Sequence, residues 1–204
     1  MTSRTNRTML SSVAKAAAGL AAFFALVAFA RPARADLLAA YIQGYGGLSN
    51  ADSSVSSAAS SSSGRQGALG VQAGARIFIL ELYGDYTTLG DGMAVERAIL
   101  GLRVGLDVTS KTRFELRLGG GAIGEEGGAL TGPANAPQHR VGVVGRAGVN
   151  LEHQLLDMGR LMGGIGINAE TFTMAPADNP TLPQGWVSGS DILATLHLKF
   201  EIGI

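Results

Sequence analysis

The stretch Leu196–Ile204, LHLKFEIGI, alternates between two kinds of side chain. Leucine, phenylalanine or isoleucine occupies every second position, whereas His197, Lys199 and Glu201 lie between them. Because successive side chains of a β-strand point to opposite faces of its sheet, this alternation predicts a strand with one apolar and one charged face. The fold then depends on how many such strands there are, and on which solvent each face meets.

The same period-two pattern recurs along the chain and predicts eight strands. In the segment 94–108, one face carries alanine, leucine and valine with Glu96 as its single charged exception. The other face carries Arg97, Arg103 and Asp107. The predicted strands are 36–46, 66–76, 78–89, 94–108, 111–123, 139–152, 160–173 and 190–204.

Of the four odd-numbered connections between these strands, the first, third and fourth are long and 90–93 is short, whereas the even-numbered connections are all short. The segments 47–65, 124–138 and 174–189 are long and rich in serine, glycine, proline or asparagine. Short turns are predicted near 76–77, at 109–110 and at 153–159. Long loops at one rim and short turns at the other are typical of outer-membrane barrels. Within the first long connection, the serine-rich segment 53–63 cannot bury a core, so we expect a mobile loop there.

The first 35 residues predict an export signal. A basic start precedes an apolar core at 16–30, and Ala33 and Ala35 provide the small residues of a cleavage site. The core is shorter than the roughly 20 residues that a membrane-spanning helix needs. We therefore predict that the signal peptide 1–35 is removed, which leaves a single domain, 36–204.

Charge and cysteine content exclude several classes of function. Removal of residues 1–35 takes five basic groups and no acidic group from a chain of zero net charge, so the mature domain carries −5. Such a domain has no electrostatic reason to bind nucleic acid, which requires a basic surface. The chain has no cysteine, which excludes disulfides and thiol catalysis.

Alternation alone does not decide which face of a barrel is outside. A soluble lipocalin-type barrel surrounds a ligand with its apolar face, whereas a membrane barrel presents that face to lipid. The charged faces here carry both signs, as a narrow lumen requires, since an unpaired buried charge is costly. The apolar faces extend over the ~9–11 residues that a tilted strand needs to cross a bilayer. The sequence therefore favours an all-β, eight-stranded antiparallel up-and-down transmembrane barrel with ion pairs in its lumen. The predicted lumen residues are Glu81, Asp85, Arg97, Arg103, Asp107, Arg113, Glu115, Arg117, Arg140, Arg146, Glu152, Glu170, His197, Lys199 and Glu201.

With its signal peptide, strand count, loop asymmetry and final strand LHLKFEIGI, the chain resembles the small eight-stranded outer-membrane β-barrel family, the OmpA/OmpX-like group. The resemblance covers 36–204. It implies a monomer in the bacterial outer membrane that contacts outer-membrane lipid, and whose last strand is read by the outer-membrane assembly machinery. Members typically end on an aromatic residue, whereas this chain ends on Ile204 with its aromatic at Phe200.

No group of residues in the sequence predicts catalysis, a metal or a cofactor. By the strand map, His139 lies near the outer rim, His153 near the inner rim and His197 in the lumen, so they do not converge as a metal site or triad requires. No serine lies two residues from a histidine, the pattern we would look for in a lipid-modifying barrel. We expect a non-enzymatic protein with a structural or surface-contact role through its long loops. Two alternatives remain open: an exported barrel that binds a small hydrophobic ligand, and a lipid-modifying outer-membrane enzyme.

Overall fold

A computed structural model describes residues 38–55, 61–90, 94–126, 139–156, 160–176 and 185–203. The predicted signal peptide 1–35, the first two residues of the first predicted strand and Ile204 lie outside these ranges. No helix in the described part of the chain is long and apolar enough to cross a membrane.

Eight strands form one closed antiparallel barrel. Each strand pairs with its sequence neighbours, and the last pairs with the first, so the sheet has no open side. The predicted eight-stranded up-and-down fold is confirmed. The strands are β1 Leu38–Val55, β2 Ser61–Ile77, β3 Leu80–Leu89, β4 Ala94–Asp107, β5 Thr112–Glu126, β6 His139–Gln154, β7 Arg160–Met174 and β8 Val187–Gly203.

The first hairpin is much longer than the sequence predicted. Where a loop was expected over 47–65, β1 continues to Val55 and β2 begins at Ser61, with Ser54 opposite Ser61. The prediction that the whole of 53–63 is a loop was wrong. The reason is that β1 pairs here with β2 on one side and with β8, as far as Val187, on the other. Backbone hydrogen bonds to both neighbours form the strand, and they do not require apolar side chains. Residues 56–60 lie outside the described chain.

The turn between β2 and β3 also differs from its predicted position. It lies at Phe78 and Ile79 rather than at 76–77. Arg76 consequently belongs to β2 and is buried. Phe78 has a positive φ of 53°, an uncommon conformation for a bulky side chain.

The strands are strongly inclined to the barrel axis. A path around the barrel, taken from each residue to its direct partner on the next strand, starts at Tyr41 and returns to β1 at Ser53, twelve residues further along the strand. A large stagger tilts the strands and widens the barrel. Long strands can therefore cross a layer that is thinner than their own length.

The outside of the barrel is apolar around its whole circumference. Large aliphatic side chains point outward from every strand and are roughly half exposed or more, whereas their charged neighbours are buried. We call this surface the apolar belt. Such an extensive exposed apolar surface suits lipid and not water. Its members include Ile42, Leu69, Leu82, Leu100, Leu118, Val143, Ile167 and Leu196.

Two tyrosines of β1 lie over glycines of β2 inside the barrel. Tyr45 is directly opposite Gly70, and Tyr41 is directly opposite Gly74. A Cβ atom at Gly70 would lie 2.3 Å from the Cζ atom of Tyr45. Each ring therefore occupies the space that a neighbouring side chain would otherwise need, which packs the lumen wall tightly.

We predict that Gly70→Ala lowers the free energy of unfolding by about 1–3 kcal/mol, because the added methyl group must displace the Tyr45 ring. Gly67→Ala on the same strand is the control, since a Cβ atom there meets nothing within 4 Å. Urea unfolding in detergent micelles, followed by heat-modifiable gel migration, compares the two. Equal midpoints would contradict the packing role of this tyrosine.

Candidate functional site

The strand ends Leu38 and Gly203 lie at the same rim as the short turns. We call this the short-turn rim, and the opposite end the long-loop rim. Between the two rims the lumen contains two clusters of ion pairs and one apolar layer.

The first cluster of ion pairs lies near the short-turn rim and is centred on Arg103. The Arg103 guanidinium donates hydrogen bonds to Glu81 at 3.2 Å and to Glu201 at 2.9 Å. It also donates to Glu115, which in turn accepts from Lys199 at 3.2 Å. We call these charges, together with Arg76, Arg117 and Glu152, the short-turn cluster. Its other members are Arg76, which contacts Glu201 at 3.3 Å, Arg117, which contacts Glu115 at 3.4 Å, and Glu152, which accepts from Lys199.

Tyr41 and His197 extend the short-turn cluster toward the middle of the barrel. The guanidinium carbons of Arg103 and Arg117 lie 5.1 and 5.6 Å from the centre of the Tyr41 ring, within cation–π range. The Tyr41 hydroxyl accepts a hydrogen bond from Gln72 at 2.8 Å. The Nε2 atom of His197 lies 3.3 Å from Oε1 of Glu152.

The second cluster lies nearer the long-loop rim and is centred on Arg97. The Arg97 guanidinium binds both carboxylate oxygens of Glu170, at 2.6 and 2.9 Å, and donates to Asp85 at 2.9 Å. Arg146 donates to the other oxygen of Asp85 and lies 3.9 Å from Glu170. We call these four charges the long-loop cluster. Bidentate pairs of this kind hold both partners in a fixed orientation.

Above the long-loop cluster the lumen becomes apolar. Side chains from all the strands are buried there, and we call this layer the apolar cap. It also contains a Ser49–Asp191 hydrogen bond of 2.9 Å, and Arg140 donates to the Ala175 carbonyl at 3.1 Å. The layer fills the end of the lumen that faces the long loops. The apolar cap consists of Ala51, Ala68, Leu89, Val95, Ile123, Val144, Phe172, Met174 and Val187.

Most of the predicted lumen residues are buried in the barrel. The exceptions are Asp107 and Arg113, which pair with each other at 3.0 Å but lie at the short-turn rim with side chains 43% and 18% exposed. Strand alternation does not show where a strand leaves the lumen, so it could not separate this pair from the others. The buried members are Glu81, Asp85, Arg97, Arg103, Glu115, Arg117, Arg140, Arg146, Glu152, Glu170, His197, Lys199 and Glu201.

Three further buried charges were missed. Arg76 was predicted both as the last residue of the strand 66–76 and in the turn at 76–77, and Glu125 was predicted in the loop 124–138, whereas the observed strands continue past both residues. Asp191 has the same parity as Lys199 within the last strand, and that signal could have identified it. With these additions, the described residues contain seven buried cationic side chains and eight buried carboxylates, so the lumen is close to neutral.

The three histidines do not converge on one site, as the strand map predicted. His139 and His153 are at opposite ends of β6 and exposed, and His153 accepts from or donates to Thr112 at 2.9 Å. His197 is buried in the lumen. Within the described ranges, no group of three or more histidine, aspartate or glutamate side chains is arranged to hold a metal ion.

Comparison with known proteins identifies the fold. No protein-family model matches the chain, and no curated protein matches it in sequence. The solved structure of Neisserial surface protein A (NspA) matches with a TM-score of 0.53 and 13% identity, covering 79% of this chain and 97% of NspA. The attachment invasion locus protein Ail of Yersinia pestis matches with a TM-score of 0.34 and 11% identity, covering 81% of this chain and 100% of Ail. The likeness to NspA shows that this chain has the fold of the small bacterial outer-membrane barrels, as the sequence resemblance predicted.

We predict that Arg97→Ala destabilises the barrel by about 3–5 kcal/mol, because it leaves the buried carboxylates Asp85 and Glu170 short of a partner. Arg113→Ala is the matched control. It breaks a partly exposed rim pair and is expected to cost at most about 1 kcal/mol. The free energies of unfolding in urea, measured in one detergent, check both values. Similar losses for the two variants would show that the long-loop cluster does not depend on Arg97.

Proposed function

We propose that the chain is a non-enzymatic outer-membrane protein that anchors its long loops at the cell surface, and whose lumen does not conduct. The observation that carries this proposal is the inversion of the barrel, with apolar side chains outside and paired charges inside. Apolar side chains on the outside are favourable when the barrel is surrounded by lipid, and the charges inside are tolerated because they are paired with each other in a closed lumen. The protein acts as a rigid support for whatever its loops contact.

The filled lumen supports a structural role rather than transport. Two ion-pair clusters and the apolar cap lie in series along the barrel axis. An ion that entered from the long-loop rim would first have to cross the apolar cap. An eight-stranded barrel has an interior just wide enough for side chains, which leaves little room for a continuous water path.

The two alternative functions have less support. A soluble carrier of a hydrophobic ligand needs an apolar lumen and a charged exterior, the reverse of the faces of this barrel. A lipid-modifying enzyme needs its reacting side chains at the lipid surface, but His197 is buried beside Glu152 in the lumen. We also propose that the barrel is a monomer, and that the assembly machinery reads the last strand with Phe200 on its outer face.

Cell fractionation and gel migration test the proposed location. After expression of the full sequence, with the predicted signal peptide 1–35 retained, the protein is expected to sediment with outer membranes and to migrate differently before and after boiling. Recovery of folded protein from the periplasm without detergent would contradict the proposal and favour the soluble carrier.

Planar-bilayer recordings test the sealed lumen. We predict no discrete conductance steps from the purified barrel, whereas an open porin in the same bilayers gives them. Regular steps would contradict the sealed lumen without affecting the location. A separate assay with radiolabelled lipid tests the enzyme alternative: product that disappears in His197→Ala would contradict a non-enzymatic role.

A further inference from the structure

The turn between β2 and β3 is apolar and exposed. The four consecutive residues Ile77, Phe78, Ile79 and Leu80 are 55%, 60%, 48% and 55% exposed. Ile77 and Leu80 belong to the ends of their strands and continue the apolar belt. A turn in water at the rim of a barrel normally carries polar residues or glycine, so this one is unusual.

The β4–β5 turn lies at the same rim and has a different composition. Apart from Val108, it consists of Thr109, Ser110 and Lys111, all exposed. The Thr109 hydroxyl accepts hydrogen bonds from the backbone N–H groups of Lys111 and Thr112, at 3.2 and 3.0 Å. This is the chemistry of a turn in water, and the strand ends beside it carry the Asp107–Arg113 pair.

The β2–β3 turn is also set back from the β4–β5 turn. Leu80 is opposite Leu102, and β4 continues for five more residues, to Asp107. With the rise of a strand and the stagger of the barrel taken into account, the β2–β3 turn ends on the order of 6–8 Å short of the β4–β5 turn. The exposed apolar side chains of the first turn thus lie level with the outer apolar face of β4.

The backbone at Phe78 gives a separate reason to assign a role to its side chain. Its φ of 53° is readily adopted by glycine but not by a bulky residue. A large side chain held in such a conformation is a sign of function. An aromatic ring at the edge of the belt is what a membrane interface accommodates.

We propose that the β2–β3 turn inserts into the lipid leaflet at the short-turn rim, while the β4–β5 turn stays in water. The partner is the bilayer itself, because the exposed side chains of the β2–β3 turn are continuous with the apolar belt and lie level with the outer apolar face of β4. This inference rests on the proposed membrane location and adds which parts of the rim lie within the bilayer.

Tryptophan quenching by brominated phospholipids tests the proposal. Trp186 is the only tryptophan, so Trp186→Phe provides a silent background. Into it are introduced, one at a time, Phe78→Trp for the apolar turn and Thr109→Trp for the polar turn. Leu82→Trp is the reference within the apolar belt, where Leu82 is 61% exposed. Heat-modifiable migration shows that each variant is folded in the vesicles before it is measured.

We expect Phe78→Trp to lose fluorescence in brominated vesicles to an extent comparable with Leu82→Trp, and Thr109→Trp to lose little. Quenching at Leu82 with no more loss at position 78 than at position 109 would overturn the insertion of the β2–β3 turn. Equal quenching at position 109 would overturn the contrast between the turns. No quenching at Leu82 would overturn the proposed membrane location itself.

Discussion

A charged side chain that is buried away from water needs a partner of opposite charge, and this requirement determines the composition of the lumen. The lumen holds seven cationic side chains and eight carboxylates among the described residues, in a space that only side chains can fill. Neither Arg97 nor Arg103 is satisfied by a neighbour on its own strand. Arg97 binds Glu170 of β7, and Arg103 binds Glu81 of β3, Glu115 of β5 and Glu201 of β8. The contacts with Glu170 and Glu201 span the lumen, so they join strands that are not adjacent in the sheet and help to fix its shape as a closed cylinder, whereas Glu81 and Glu115 lie on the strands next to β4.

The outer face follows from the same constraint. The charged side chains, at alternate positions of each strand, face the lumen, so the side chains at the other positions face outward. These outward side chains form an apolar surface around the whole circumference. Water would not tolerate such a surface, whereas lipid cannot solvate backbone groups that lack partners. Closure of β8 onto β1 satisfies both solvents, since it leaves no open edge to the lipid and no route by which lipid could reach the charges.

The sequence predicted the strands and their faces, because side-chain parity is a local property. It could not predict which charges meet: Arg103 and Glu201 are 98 residues apart, and only the register of the closed barrel brings them together. The apolar cap was missed for a related reason, since Val95 and Ile123 share the parity of the charged residues and were not expected to form a layer of their own. The long first hairpin was missed because backbone pairing on both sides of β1 does not depend on the serine side chains that suggested a loop.

The central claim is that the odd-numbered side chains at the end of β8 are buried in a charged lumen and the even-numbered ones face lipid. A spin-label scan tests it directly, since the chain has no cysteine to interfere. Single cysteines at each position from Leu196 to Glu201 would carry the label in lipid vesicles, and its collisions with dissolved oxygen and with a water-soluble nickel complex would be measured. The account predicts high oxygen accessibility at 196, 198 and 200, and low accessibility to both reagents at 197, 199 and 201. High oxygen accessibility at the odd positions, or high nickel accessibility at the even ones, would contradict it.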